Sequence, residues 1–162
     1  MTISVGDRLP DSEFLIKRDG APATLPVSEV FDGRRVVLFG VPGAFTPTCH
    51  AAHLPSFIRT ARAFRGKGVD TIACVSVNDV HVMQMWGETT GAAAAGIVML
   101  ADAASAFTTA IGMDFDAPPV GMYRRSKRYS MLVEDRVVKI LTVEEKRGVC
   151  EATAGETLLG RL

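Results

Sequence analysis

The chain has 162 residues, 48% of them apolar and 22% charged, enough for one core and too few for two ordinary domains, so a single domain over residues 1–162 is expected. Eighteen basic residues balance eighteen acidic ones, which removes the electrostatic case for nucleic acid or an anionic membrane surface as a partner. The longest apolar stretch, near residues 92–103, is broken by Gly96 and Asp102 and falls short of a membrane span.

The amino terminus, MTISVGD, has neither a basic n-region nor an apolar core, so a cytoplasmic location is expected. Three cysteines, an odd count without regular spacing, argue against a disulfide framework and suit a reducing compartment.

Residues 35–40 (RVVLFG) and 69–77 (VDTIACVSV) are short continuous apolar runs flanked by breakers, which is the pattern of buried strands. Between them, residues 49–65 carry Ala52, Leu54, Phe57, Ile58, Ala61 and Phe64 near helical spacing. A strand-helix-strand crossover follows, hence a parallel pair. Asp79 caps a second helix through Val82, Met85 and Trp86 that ends near Gly87 or Gly91. A strand at 97–100 and a brief helix at 105–111 come next, and residues 114–121, with Pro118-Pro119, are expected to be loop. Strands at 128–133 and 137–143 form an antiparallel hairpin, and a helix over 154–162 closes the chain. This order predicts an α/β, thioredoxin-like fold: a central mixed β-sheet flanked by helices, with additions at the front.

The densest chemical signal is the run 41–50, VPGAFTPTCH, which delivers Cys49 from the end of an apolar strand into a helix start. Orphan N–H groups and the helix dipole favour a thiolate there, and such sites depress a thiol pKa below its free value of about 8.5. Cys49 follows Thr46 at the spacing of a Cys-x-x-Cys redox turn, with threonine in place of the first thiol. A lone thiolate beside a hydroxyl suits attack on an electrophile that the hydroxyl orients, such as a peroxide. Pro42 and Pro47 stiffen the turn on either side of Thr46. The bland reading is a buried cysteine at a helix start, a role this residue often fills.

His50 and His53 follow the thiol, yet one cysteine and two histidines within a turn have no recognised zinc spacing, so no metal is expected. Without a Gly-x-Gly-x-x-Gly after a strand or a P-loop, no nucleotide cofactor is expected either. Trp86, Met83 and Met85 make an aromatic-methionine group of the kind found in cores or interfaces. Arg124, Arg125, Lys127 and Arg128 cluster before the hairpin, and most such clusters are solvated loops. Arg128 is singled out because it starts a strand, and a guanidinium keeps its charge and can polarise an O–O bond. Whether Arg125 or Arg128 faces the thiol stays open.

Pro42, Thr46 and Cys49 make the Pro-x-x-x-Thr-x-x-Cys signature, and with PGAFTPTC (42–49), VSVND (75–79) and RRSKRYSMLV (124–133) the chain resembles the type II, or peroxiredoxin-5, subfamily of the peroxiredoxins, over nearly its whole length. The resemblance implies a thiol-dependent peroxidase for hydrogen peroxide and alkyl hydroperoxides. It gives Cys49 the role of nucleophile forming a sulfenic acid, Thr46 that of orienting the peroxide, Pro42 that of shielding the sulfenate, and Arg128 that of the family arginine. It also implies a homodimer built near the active site, with Phe45 or Trp86 at its surface.

The sulfenic acid must be reduced by a second cysteine or by an external thiol. Cys74 sits in an apolar strand and reads as buried and inert, although it matches a second cysteine of plant type II members. Cys150 lies in a polar, glycine-containing loop that predicts exposure, near the position of the animal subfamily's resolving cysteine but offset from it, and beside Glu151, which would raise its pKa. Glutathione, glutaredoxin or thioredoxin as external reductant is the favoured expectation. The rivals are internal resolution by Cys74 or Cys150 and a non-enzymatic redox sensor that uses the same thiolate.

Overall fold

The two apolar runs and the strand after the second helix become the parallel centre of a seven-stranded sheet. A computed structural model describes residues 1–162. β3 (Arg35–Val41), β4 (Thr71–Ser76) and β5 (Ile97–Ala101) run parallel, because α2 (Leu54–Gly66) and α3 (Val80–Thr90) carry the chain back between them. α2 turns Phe57, Ala61 and Phe64 inward at helical spacing. Asp79 caps α3 by accepting from the N–H groups of His81 and Val82, and Gly91 ends it in the left-handed conformation.

Antiparallel pairs flank this centre. β1 (Glu13–Arg18) and β2 (Ala21–Pro26) form a hairpin on one edge, followed by the short α1 (Val27–Phe31), and β8 (Tyr129–Glu134) with β9 (Val137–Val143) forms the other, giving the order β2-β1-β5-β4-β3-β8-β9. The expected mixed sheet is therefore present. Both hairpins turn on two residues of positive φ, Asp19-Gly20 and Asp135-Arg136, the handedness that lets twisted strands pair through a two-residue link.

Residues 114–121 differ from the expected loop. β6 (Asp114–Ala117) pairs antiparallel with β7 (Met122–Ser126) through a bulge, and Pro118–Val120 is a turn of 3₁₀ helix. The two prolines end the strand without abolishing it, because β6 lies in a separate two-stranded sheet and gives up no ladder bond in the main one. α4 (Ala106–Ala110) and α5 (Gly155–Leu159) are shorter than their sequence signals.

Alternation along β3 sends Val37, Phe39 and Val41 into the core under α2, α3 and α5, and Val36 and Leu38 into the core on the other side with Phe31, Phe107 and Met131. Gly40 pairs with Tyr129 across the β3–β8 ladder. A Cβ at position 40 would stand 2.2 Å from the fully buried Tyr129 ring, so only glycine lets β8 register here. That register places Arg128, the residue just before β8, beside the end of β3, where the chain leaves the sheet through Pro42.

Candidate active site

The loop after β3 runs out at the carboxyl ends of the parallel strands, the usual place for a site in an α/β sheet. Its shape is held by local bonds: the Ala44 N–H donates to Asn78 Oδ1 at 3.0 Å, the Thr46 hydroxyl donates to the Gly43 carbonyl at 2.6 Å, and Phe45 takes a positive φ of 61°. With its proton committed to Gly43, the Thr46 oxygen presents lone pairs to the space above it.

Cys49 opens a π-helical turn, Cys49–His53, that runs into α2. Pro55 is a sufficient cause. It has no N–H to give the Ala51 carbonyl and its ring crowds that carbonyl, so the chain widens and the Leu54 N–H bonds back to Cys49 instead. Cys49 is buried, 1% exposed, and the donor at its sulfur is the guanidinium of Arg128, Nη2 to Sγ 3.3 Å. The sequence pattern had assigned that task to helix N–H groups as well. The bond the structure contains is the one from the arginine.

Arg128 is itself 7% exposed and braced from behind, its Nη1 lying 3.1 Å from His53 Nδ1. The other ring nitrogen of His53, Nε2, is 3.1 Å from the Thr153 carbonyl. A carbonyl only accepts, so Nε2 carries the proton and Nδ1 is the bare acceptor for Arg128. Burial, then the charge of Arg128, pushes the His53 pKa down to about 3, and the imidazole is neutral across the physiological range. Both ring nitrogens are thus committed to protein partners. Nowhere does the chain gather three or more His, Cys, Asp or Glu side chains for a metal.

This neutral histidine has a measurable signature. Its folded pKa lies below the unfolded value of 6.5, so between about pH 6.5 and 3 the unfolded chain binds the extra proton and stability falls as pH falls. Denaturant unfolding at pH 7 and pH 5 should differ by about 2 kcal/mol in favour of pH 7. A His53→Gln variant should lose that difference.

Of the four clustered cations, only Arg128 reaches the sulfur. Arg125 Nη1 donates to the Pro42 carbonyl at 3.2 Å, and Arg124 Nη2 to the Thr109 hydroxyl at 3.2 Å. Lys127 lines an open cleft of about 740 Å³ together with Pro42, Thr46 and Arg128. Phe115, Val120, Met122 and Val143 give this cleft apolar lining, and Glu144, Glu145, Lys146 and Arg147 add charges of both signs.

The other two cysteines feel the charges of Cys49 and Arg128 but share no hydrogen bond with either. Cys74 is in β4 with no exposure, and burial raises its pKa well above the usual thiol value. Cys150 is half-buried rather than exposed, 3.8 Å from the Thr153 hydroxyl, and burial raises its pKa too. The carboxylate acting on it is Glu144, not the adjacent Glu151. Trp86 is fully buried and donates its indole N–H to His50 Nδ1 at 3.0 Å, so it is core and unavailable to a partner surface, whereas Phe45 is half exposed.

Two residues at the site escaped the sequence reading as participants. In the sequence His53 suggests only a metal ligand, and Thr153 carries no signal. Their partners are 75 and 100 residues away in the chain, and no local pattern announces such pairings.

Comparison with known proteins places the chain in a family. The Redoxin family model matches residues 4–158. The rice (Oryza sativa subsp. japonica) protein peroxiredoxin-2E-2, chloroplastic, is 47% identical over 161 residues, covering 97% of this chain and 72% of the rice protein. The reduced Prx3 of Vibrio vulnificus in complex with H2O2 superposes with a TM-score of 0.92 at 43% identity over 99% of both chains. A Burkholderia cenocepacia structure provisionally named a thioredoxin reductase superposes with a TM-score of 0.93 at 41% identity, over 100% of this chain and 99% of that one. The fold shared with these structures is thioredoxin-like.

Proposed function

This chain belongs to the redoxin family and is a type II peroxiredoxin, a thiol-dependent peroxidase; from that premise we propose that Cys49 is its nucleophile, with Thr46, Pro42 and Arg128 around the peroxide. The observation that carries the assignment is the 3.3 Å approach of Arg128 Nη2 to Cys49 Sγ, the same Arg128 that lines a cleft together with Thr46 and Pro42.

The Cys49 thiolate attacks the terminal oxygen of a hydroperoxide. The S–O bond forms as the O–O bond breaks, leaving a sulfenic acid and an alkoxide or hydroxide that takes a proton from water. Thr46, its own proton given to the Gly43 carbonyl, accepts the hydrogen bond of the peroxide O–H and fixes the line of attack. The guanidinium keeps its charge and faces the sulfur and the leaving oxygen, where negative charge builds. Pro42 narrows the entrance. The apolar lining of Phe115, Val120, Met122 and Val143 suits the chain of an alkyl hydroperoxide.

Recovery of the thiol falls to an external reductant, with glutathione, glutaredoxin or thioredoxin the candidates. A reductant thiol condenses with the sulfenic acid to a mixed disulfide and water, and a second thiol releases Cys49. The burial of Cys74 and the raised pKa of both remaining cysteines favour this route, since a protonated thiol is a poor attacker. A Cys74→Ala, Cys150→Ala double variant should sustain undiminished peroxide turnover with glutathione and glutaredoxin. Loss of turnover on replacing Cys150 alone would move resolution inside the chain.

The proposal includes a homodimer in the cytoplasm. Phe45 and Met85, both about half exposed (50% and 52%), are the apolar side chains near the site that are free to give it a contact. Sedimentation should give a dimer for the native chain and a monomer for Phe45→Glu; a native monomer would refute it.

A further inference from the structure

Behind the sulfur and its arginine lies an unbroken line of hydrogen bonds that ends on a carboxylate 16 residues after Arg128. Glu144 follows β9, and its backbone N–H donates to the Arg128 carbonyl at 2.9 Å. Its side chain turns the other way along the loop. One oxygen, Oε2, accepts from the Glu151 N–H at 3.2 Å, the Thr153 N–H at 3.1 Å and the Thr153 hydroxyl at 2.8 Å. The loop after β9 is therefore folded back on Glu144, whose backbone is tied to Arg128.

Thr153, fully buried, aims its carbonyl at His53 Nε2. The end of the loop is held from a second side: the Ser56 hydroxyl donates to the His53 carbonyl at 2.6 Å and accepts from the Gly155 N–H at 2.9 Å. A Cβ at Gly155 would stand 2.6 Å from the Ser56 carbonyl oxygen, so glycine is what lets this end of the loop approach α2. The carbonyl of Thr153 thereby dictates the tautomer of His53, the tautomer dictates that Nδ1 is the acceptor, and the acceptor fixes one arm of the Arg128 fork. The other arm is left for Cys49.

We propose that Glu144 is a positioning residue of the peroxidase site: by gathering the Thr153 N–H and hydroxyl it sets the Thr153 carbonyl on His53, and through His53 it orients the Arg128 guanidinium on the Cys49 sulfur. This rests on the assignment of Cys49 and Arg128 made above. Burial alone would raise the Glu144 pKa, but the Thr153, Glu151 and Ala152 hydrogen bonds outweigh it and hold the carboxyl below its usual value, so the tie is intact at neutral pH. Glu144 touches no reacting atom. Its effect is transmitted by geometry, and a fork whose arm is misplaced by a fraction of an ångström loses most of its value to a developing charge.

A double-mutant cycle on the second-order rate of Cys49 oxidation by hydrogen peroxide tests this. Glu144→Ala should lower the rate about tenfold in the native background and leave it unchanged in an Arg128→Met background, because the two changes act on one element. Glu144→Gln, which keeps an accepting oxygen for Thr153, should recover most of the loss. Equal effects of Glu144→Ala in both backgrounds, or no effect in the native one, would overturn the proposal. A second reading needs neither turnover nor a correct assignment of the nucleophile: nitrogen-15 shifts of His53 should report a single Nε2–H tautomer in the native chain and in Glu144→Gln, and a mixture in Glu144→Ala. A single tautomer in all three would refute the role of Glu144 even if the chain proved to oxidise elsewhere.

Discussion

Replacing Cys49 by serine is expected to reduce peroxide consumption to the rate at which the free reductant reacts unaided. Serine preserves the shape of a site that is 1% exposed, and its oxygen can still accept from Arg128 Nη2, so folding stability should change by no more than about 1 kcal/mol. What is lost is the nucleophile, since a hydroxyl with no adjacent base does not ionise near neutral pH and does not attack peroxide oxygen. His53 offers no rescue as that base, being committed to Arg128 and Thr153. A coupled assay with glutathione and glutaredoxin checks the result, with unfolding in denaturant alongside it. Retained turnover in a folded Cys49→Ser chain would remove Cys49 from the chemistry.

Arg128→Met should lower the second-order rate with hydrogen peroxide by about 10²–10³-fold, the scale on which losing one preorganised donor to a developing charge is felt, or about 3–4 kcal/mol of barrier. Methionine fills much of the same space but gives nothing to the sulfur. It also leaves His53 Nδ1 without its partner, at a cost in stability of about 1–3 kcal/mol, so unfolding has to be measured on the same sample. Arg128→Lys should fall between the two, because an ammonium keeps the charge but lacks the planar fork whose separate nitrogens meet His53 Nδ1 at 3.1 Å and Cys49 Sγ at 3.3 Å. A rate for Arg128→Met equal to the native one would mean that the guanidinium faces the sulfur without acting on it.

The parts of this molecule that announce themselves in sequence are those decided by local pattern. Continuous apolar runs give β3 and β4, since a strand buried on both faces has no polar side to show. Spacing gives α2, and Asp79 with Gly91 gives the limits of α3. The hairpin β1–β2 was passed over because Lys17, Pro22 and Thr24 interrupt any apolar run, although its Asp19-Gly20 turn is a legible signal. β6 was hidden by Pro118-Pro119, which mark where it stops and not whether it exists.

The site divides in the same way. Pro42, Thr46 and Cys49 lie within eight residues and can be read together. Arg128 was chosen among four neighbouring cations by its place at the head of a strand, and its guanidinium is the one that reaches the sulfur. His53 and Thr153 could not be read, because their value lies in contacts across 75 and 100 residues. The π-helical turn at Cys49 was also invisible as such, although Pro55 is its local cause.

The central claim is that the sulfur of Cys49 takes the oxygen from the peroxide. Treating the Cys74→Ala, Cys150→Ala chain with one equivalent of hydrogen peroxide in the presence of dimedone, then mapping the adduct by mass spectrometry, tests it directly, since no internal thiol remains to capture the sulfenic acid. The account expects one adduct per chain on the peptide that holds Cys49. An unmodified Cys49 in a protein that has consumed the peroxide would contradict it.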